Sequence, residues 1–185
     1  TLTPTDTLLE SLVQLAKQSP ASLLLLPGWL LSGRAGFKEA IAKRITIDAD
    51  RLPYNQPLLD YLQEEKSRGR QIILATAAHH TIADAVARRL DMFDQVLATR
   101  PENNLKGTAK LQAIRENVGE AFVYAGDCAA DLPIWKQAKA AILVGVPERI
   151  ATQVRQETPI ERDFERPASG LATWLRALRV HQWIK

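Results

Sequence analysis

Residues 56–76 read QPLLDYLQEEKSRGRQIILAT. The first part, from about Gln56 to Arg68, predicts a helix that stops at Gly69, the residue type that most often lies just past a helix C-terminus. The run that follows at once, with Ile72, Ile73 and Leu74 in succession, predicts a strand buried on both faces. The same unit recurs downstream. A helix is expected at 80–90 before the strand QVLAT (95–99), another at 108–118 before AFVYAG (121–126), and another at 131–138 before AAILVG (140–145). Helices and apolar strands alternating at this spacing imply right-handed crossovers and a parallel sheet covered on both sides, a doubly wound, Rossmann-like α/β fold.

Upstream of this core, from Asp6 to about Ile47, the pattern is helical. Leu8, Leu9, Leu12, Val13 and Leu15 recur at three and four, as does a second stretch from Ala35 to Arg44, with Pro20, Pro27 and Gly33 as punctuation. A small helical insertion over about 6–52 is expected, with the core at about 53–165. The most apolar stretch, ASLLLLPGWLL (21–31), is about half the ~20 residues that cross a bilayer and contains Pro27 and Gly28. The 24 Lys+Arg and 21 Asp+Glu of the 185 residues are interspersed, so the net charge of +3 does not suggest nucleic acid as a partner. A single cysteine, Cys128, rules out an internal disulfide and points to a reducing, cytoplasmic compartment. The opening TLTPTDTLLESL has neither the basic leader nor the apolar run of a signal peptide.

In doubly wound sheets ligands bind beyond the carboxyl ends of the strands. Those positions hold Thr76, Thr99, the run Gly126-Asp127-Cys128-Ala129-Ala130-Asp131, and Gly145. Asp127 and Asp131 straddle a strand end and the first turn of a helix, so both carboxylates can face one site, which suits Mg²⁺. The plainer reading of Asp131 is a cap for the helix opening at Leu132-Pro133. Thr76 offers a hydroxyl and nearby amides to a phosphoryl oxygen, although Thr also commonly ends strands. Lys106 and Lys110 flank the Gly107 turn, and either ammonium can offset a crowded phosphate and carboxylate. His79 and His80 line the same strand end, but adjacent residues seldom share a face, so a metal pair is not expected.

The order of these features, a strand-end Thr, then a lysine near a helix start, then GDxxxD after the next strand, resembles haloacid dehalogenase (HAD)-like hydrolases. The resemblance implies that Thr76 binds the phosphoryl group, that Lys106 or Lys110 is the motif lysine, and that Asp127 with Asp131 serves Mg²⁺. Spacing in some relatives favours Lys106, and a GxxK pattern in others favours Lys110. It implies that the helical insertion at about 6–52 is a substrate-selecting cap. It also implies a DxDGT motif at the end of a central first strand, with Thr1 as its Thr and the nucleophilic aspartate ahead of it. Without that strand its two neighbours are left open. Asp6 lies too late for the nucleophile and suits a helix cap.

The end, GLATWLRALRVHQWIK, carries Leu171, Trp174, Leu175 and Leu178 on one helical face with Arg176 and Arg179 off it. Such a helix suits a membrane surface or a docked C-terminal helix. LRALRVHQWIK resembles the opening of UbiA-type polyprenyl transferases. LPYNQPLLDYL, NLKGTAK and YAGDCAADLPIW resemble the HAD-like domain fused ahead of some of them. The expectation is a HAD-like domain over 1–170, with 171–185 beginning a membrane-directed segment, at the cytoplasmic face of the inner membrane. Its partners would be a phosphorylated small molecule or polyprenyl phosphate, and the membrane through the C-terminal continuation. A non-catalytic regulatory or docking module is the alternative.

Overall fold

Each helix-then-apolar-run unit of the sequence becomes a helix followed by a strand. A computed structural model of the chain describes residues 1–3, 49, 52–100 and 103–165. In chain order the elements are α1 (Gln56–Ser67), β1 (Ile73–His79), α2 (His80–Leu90), β2 (Gln95–Thr99), α3 (Thr108–Val118), β3 (Val123–Gly126), α4 (Leu132–Trp135), β4 (Ala140–Val144), α5 (Glu148–Glu157) and β5 (Ile160–Phe164). The expected cap at about 6–52, apart from residues 49 and 52, and the segment 171–185 lie outside the described residues, as does Asp6. No helix among the described residues is long and apolar enough to cross a membrane.

α1 begins where Asn55 places its side-chain oxygen against the Leu58 amide, with Pro57 in the first turn, and ends before Gly69, whose φ of 87° suits a residue without a side chain. All strand pairs are parallel. The strands form two pieces, β1-β2 and β3-β4-β5. Among the described residues β1 and β3, between which the family resemblance expects a further strand, are not hydrogen-bonded to each other.

β4 shows why its residues are apolar throughout. Ala141 and Leu143 point to one face, into a core with Ile114, Phe122, Tyr124, Ile134, Trp135, Ala141, Ala151 and Val154, while Ile142 and Val144 point to the other, against Leu58 of α1. Successive residues of a strand face opposite sides, so a strand covered on both sides has no polar position to spare. Ala75 of β1 and Leu97 of β2 pack against the first of these cores, so side chains join the two sheet pieces where backbone bonds do not.

Three expected boundaries differ. The strand expected at 71–76 runs over 73–79, so Thr76 is not its last residue; the pairing slips between Thr76 and His79, and Ala77 and Ala78 are looped out of register. Thr99 fixes this bulge, donating its hydroxyl to the Ala77 carbonyl (3.1 Å) and accepting from the Leu105 amide (3.1 Å). The helix expected at 131–138 is a 3₁₀ turn, Ala129–Asp131, followed by the four-residue α4. The strand expected at 121–126 is shorter, Val123–Gly126.

A polar network ties α1 and the approach to β1 to the outer strand β5. The Tyr61 hydroxyl donates to Glu161 (2.5 Å), and the Arg70 guanidinium pairs with Glu161 and with Glu65. The hydrogen bond from Arg70 holds the Glu161 carboxyl below its ordinary value of 4.5, against the opposing effect of burial. A carboxylate with a lowered folded value contributes stability that is full above 4.5 and lost as pH falls through the folded value. Glu161→Gln is therefore expected to lower unfolding free energy by ~1 kcal/mol or less at pH 7, since the pair is partly exposed. The gap should narrow in denaturant titrations as pH falls from 4.5 and close below the lowered folded value; a gap that stays constant throughout acid titration would exclude the ion pair as its source.

Candidate active site

β3 ends in Gly126, and the chain then turns tightly so that Asp127, Cys128 and Asp131 gather past the strand's carboxyl end. A side chain at Gly126 is excluded, because its Cβ would lie 2.6 Å from Trp135 Cζ2 and 2.9 Å from Asp131 Oδ2. Trp135 is only 1% exposed and cannot give way.

Asp131 is 3% exposed and almost fully committed. Its Oδ2 accepts from the backbone amides of Asp127 (3.1 Å) and Cys128 (3.4 Å). Its Oδ1 accepts from the Tyr124 hydroxyl (2.8 Å) and, at 3.5 Å, from the Lys110 ammonium. The plainer reading of Asp131, a cap for the helix at Leu132-Pro133, does not hold: no side-chain cap bond is made to α4, and the carboxylate instead reaches backward, closing the turn that presents Asp127. Lys110 is largely buried and also donates to Tyr124 Oη (3.0 Å). Burial first, then the charge of Asp131, pushes the Tyr124 phenol well above its ordinary value, so it stays protonated as a donor.

Asp127 is the more open carboxylate, its side chain 35% exposed. It accepts from Thr1 Oγ1 (2.8 Å). Leu2 accepts from the Asn55 amide (2.8 Å) and packs near Leu58, Ile142 and Val144, fixing the segment that brings Thr1 to Asp127.

One ligand atom each from Asp127, Cys128 and Asp131 lies within 4.8 Å of the others. Burial and then Asp131 push the Cys128 thiol up to about 11, so it remains a thiol and is a poor ligand for a hard cation. The carboxylate oxygens fit such a cation, with Asp127 as the open ligand and Asp131 holding its backbone in place.

The other expected residues stand apart from this cluster or at its margin. Lys106 is exposed on the turn before α3; of the two candidate lysines it is Lys110 that reaches the acidic pair. Thr76 lies within β1, its hydroxyl oxygen accepting from the Ala78 amide (3.1 Å) across the bulge. The His79 ring interacts with Thr81 at the start of α2 and stacks at 4.3 Å on His80, whose Nδ1 is buried without a hydrogen-bond partner. Tyr124 was missed by sequence reasoning, which read it only as part of an apolar strand. Its signal was a polar-tipped residue on the face that the Gly126 position shares.

A parallel α/β domain with carboxylates and a lysine collected beyond a strand end is the arrangement that the resemblance to HAD-like hydrolases implies. The chain belongs to the haloacid dehalogenase-like hydrolase family, which matches residues 1–136. It is 39% identical over 187 residues to the "Uncharacterized protein y4nM" of Sinorhizobium fredii (strain NBRC 101917 / NGR234), an alignment that takes in 100% of this chain and 36% of that protein. The chain therefore spans about a third of the length of the curated relative it matches. Hydrolases of this family generally use Mg²⁺.

Proposed function

We propose that the chain is the Mg²⁺-dependent, phosphatase-like domain of a longer protein. In that protein it precedes a UbiA-type prenyltransferase at the cytoplasmic membrane face and acts on a phosphorylated small molecule or polyprenyl phosphate. The observation that carries the hydrolase reading is the meeting of Thr1, Asp127, Lys110 and Asp131 at one strand end. With Thr1 as the Thr of DxDGT, the family's nucleophilic aspartate is expected four residues ahead of it, at the end of the strand that leads into this cluster.

In this reading the aspartate ahead of Thr1 attacks phosphorus and carries the phosphoryl group until water releases it. Lys110 offsets the charge of phosphoryl oxygens and nucleophile together, and takes the role of motif lysine over Lys106 because only Lys110 reaches the cluster. Thr76 holds a phosphoryl oxygen; accepting from Ala78 orients its hydroxyl and leaves its own O–H to donate. Asp127 and Asp131 are the residues that hold the metal site, and Mg²⁺ when bound supplies positive charge opposite the phosphoryl oxygens.

The test is release of phosphate from an aryl phosphate by the protein at its full natural length, with Mg²⁺ and then with a chelator. Turnover that the chelator abolishes is the expected result. A folded protein inert toward a panel of phosphate esters would give way to the regulatory or docking reading.

A further inference from the structure

Tyr124 touches both buried charges of the site. Its oxygen lies 3.0 Å from Lys110 Nζ and 2.8 Å from Asp131 Oδ1, whereas the ammonium and carboxylate stand 3.5 Å apart. A charge-assisted N–H···O bond with nothing intervening settles at about 2.7–2.9 Å. The phenol bridges the two beside their longer direct contact, accepting from Lys110 and donating to Asp131. It cannot drift away, because its ring meets Trp135 edge-on at 6.3 Å and its carbonyl accepts from Trp135 Nε1 (3.1 Å).

We propose that Tyr124 is a positioning residue, a neutral spacer that prevents Lys110 from collapsing onto Asp131. Lys110 keeps its remaining N–H bonds for an anion in the site, and Asp131 keeps its second oxygen on the amides that present Asp127. Closing the 3.5 Å contact to a short pair would turn the ammonium further inward, away from an anion in the site. The spacer itself follows from geometry, while the identity of the anion as a phosphoryl group rests on the phosphohydrolase reading.

The experiment uses Tyr124→Phe in the protein at its full natural length, with two readouts. Calorimetric affinity for inorganic phosphate is expected to fall about tenfold, the size of one charge-assisted hydrogen bond. Lys110→Met, introduced with and without Tyr124→Phe, is expected to raise the unfolding equilibrium constant about tenfold more when the hydroxyl is gone, because Asp131 Oδ1 then depends on the ammonium alone. Equal phosphate affinity in the two proteins, or equal cost of Lys110→Met in both backgrounds, overturns the spacer. If the unmutated protein binds no phosphate, the phosphohydrolase reading falls while the stability comparison still decides the spacer. Should Tyr124→Phe not fold, difluorotyrosine substituted for Tyr124 keeps the hydroxyl as a donor to Asp131 but weakens it as an acceptor for Lys110, and phosphate affinity is again expected to fall; unchanged affinity overturns the spacer.

Discussion

Asp131→Ala is expected to destabilise the protein by about 3–5 kcal/mol, the cost of stranding a buried charge partner. The carboxylate it removes is the acceptor for two backbone amides, a buried phenol and the Lys110 ammonium. The phenol and the ammonium among those donors are enclosed, so water does not readily replace the acceptor they lose, and they carry a desolvation penalty. Against a total of ~5–15 kcal/mol, such a loss leaves a marginal fold. Asp131→Asn retains one acceptor oxygen for the amides but turns an NH₂ toward Lys110, and adding Lys110→Met should recover part of its loss. Urea unfolding measures all of these. A value for Asp131→Ala within ~1 kcal/mol of the parent would mean that the buried network contributes little, contrary to the magnitudes expected for enclosed donors.

Asp127→Asn separates the opposite way, with turnover expected to fall about 10³-fold, the scale reported for removing one preorganised electrostatic element from an active site. Its side chain is the more exposed of the pair, and its hydrogen bonds run to Thr1, not into the core. An amide of the same shape keeps that contact with Thr1 Oγ1 while removing the negative charge that suits a hard cation. Unfolding free energy should shift by ~1 kcal/mol or less. Phosphate release and urea unfolding on the same preparation distinguish the two effects. Retained turnover with Mg²⁺ would remove Asp127 from the site.

Much of this was legible in residue order. The spans of α2, α3 and β2 follow from periodicity and from turns such as the one at Gly107, and the GDxxxD run located the acidic pair. What was not legible depends on contacts between distant residues. The bulge that moves Thr76 away from its strand end is set by Thr99 and Leu105, more than twenty residues on. Lys106 and Lys110 are equivalent in spacing arguments, and only the burial of α3 against β3 decides which ammonium reaches Asp131. β5, IERDF, was unread because the exposed, charged middle of an outer strand looks like loop. α5 carries Ala151 and Val154 as its buried stripe, a short signal amid charged neighbours. The cap and the C-terminal membrane-directed segment remain expectations of the sequence.

The place of β4 in the sheet bears on how its amides exchange with solvent. Among the described strands only β4 is hydrogen-bonded along both edges, while β1 and β3 each present one edge without a described strand partner. Amide hydrogens in β4 are thus shielded by two neighbours, and exchange there reports the deepest opening of the fold.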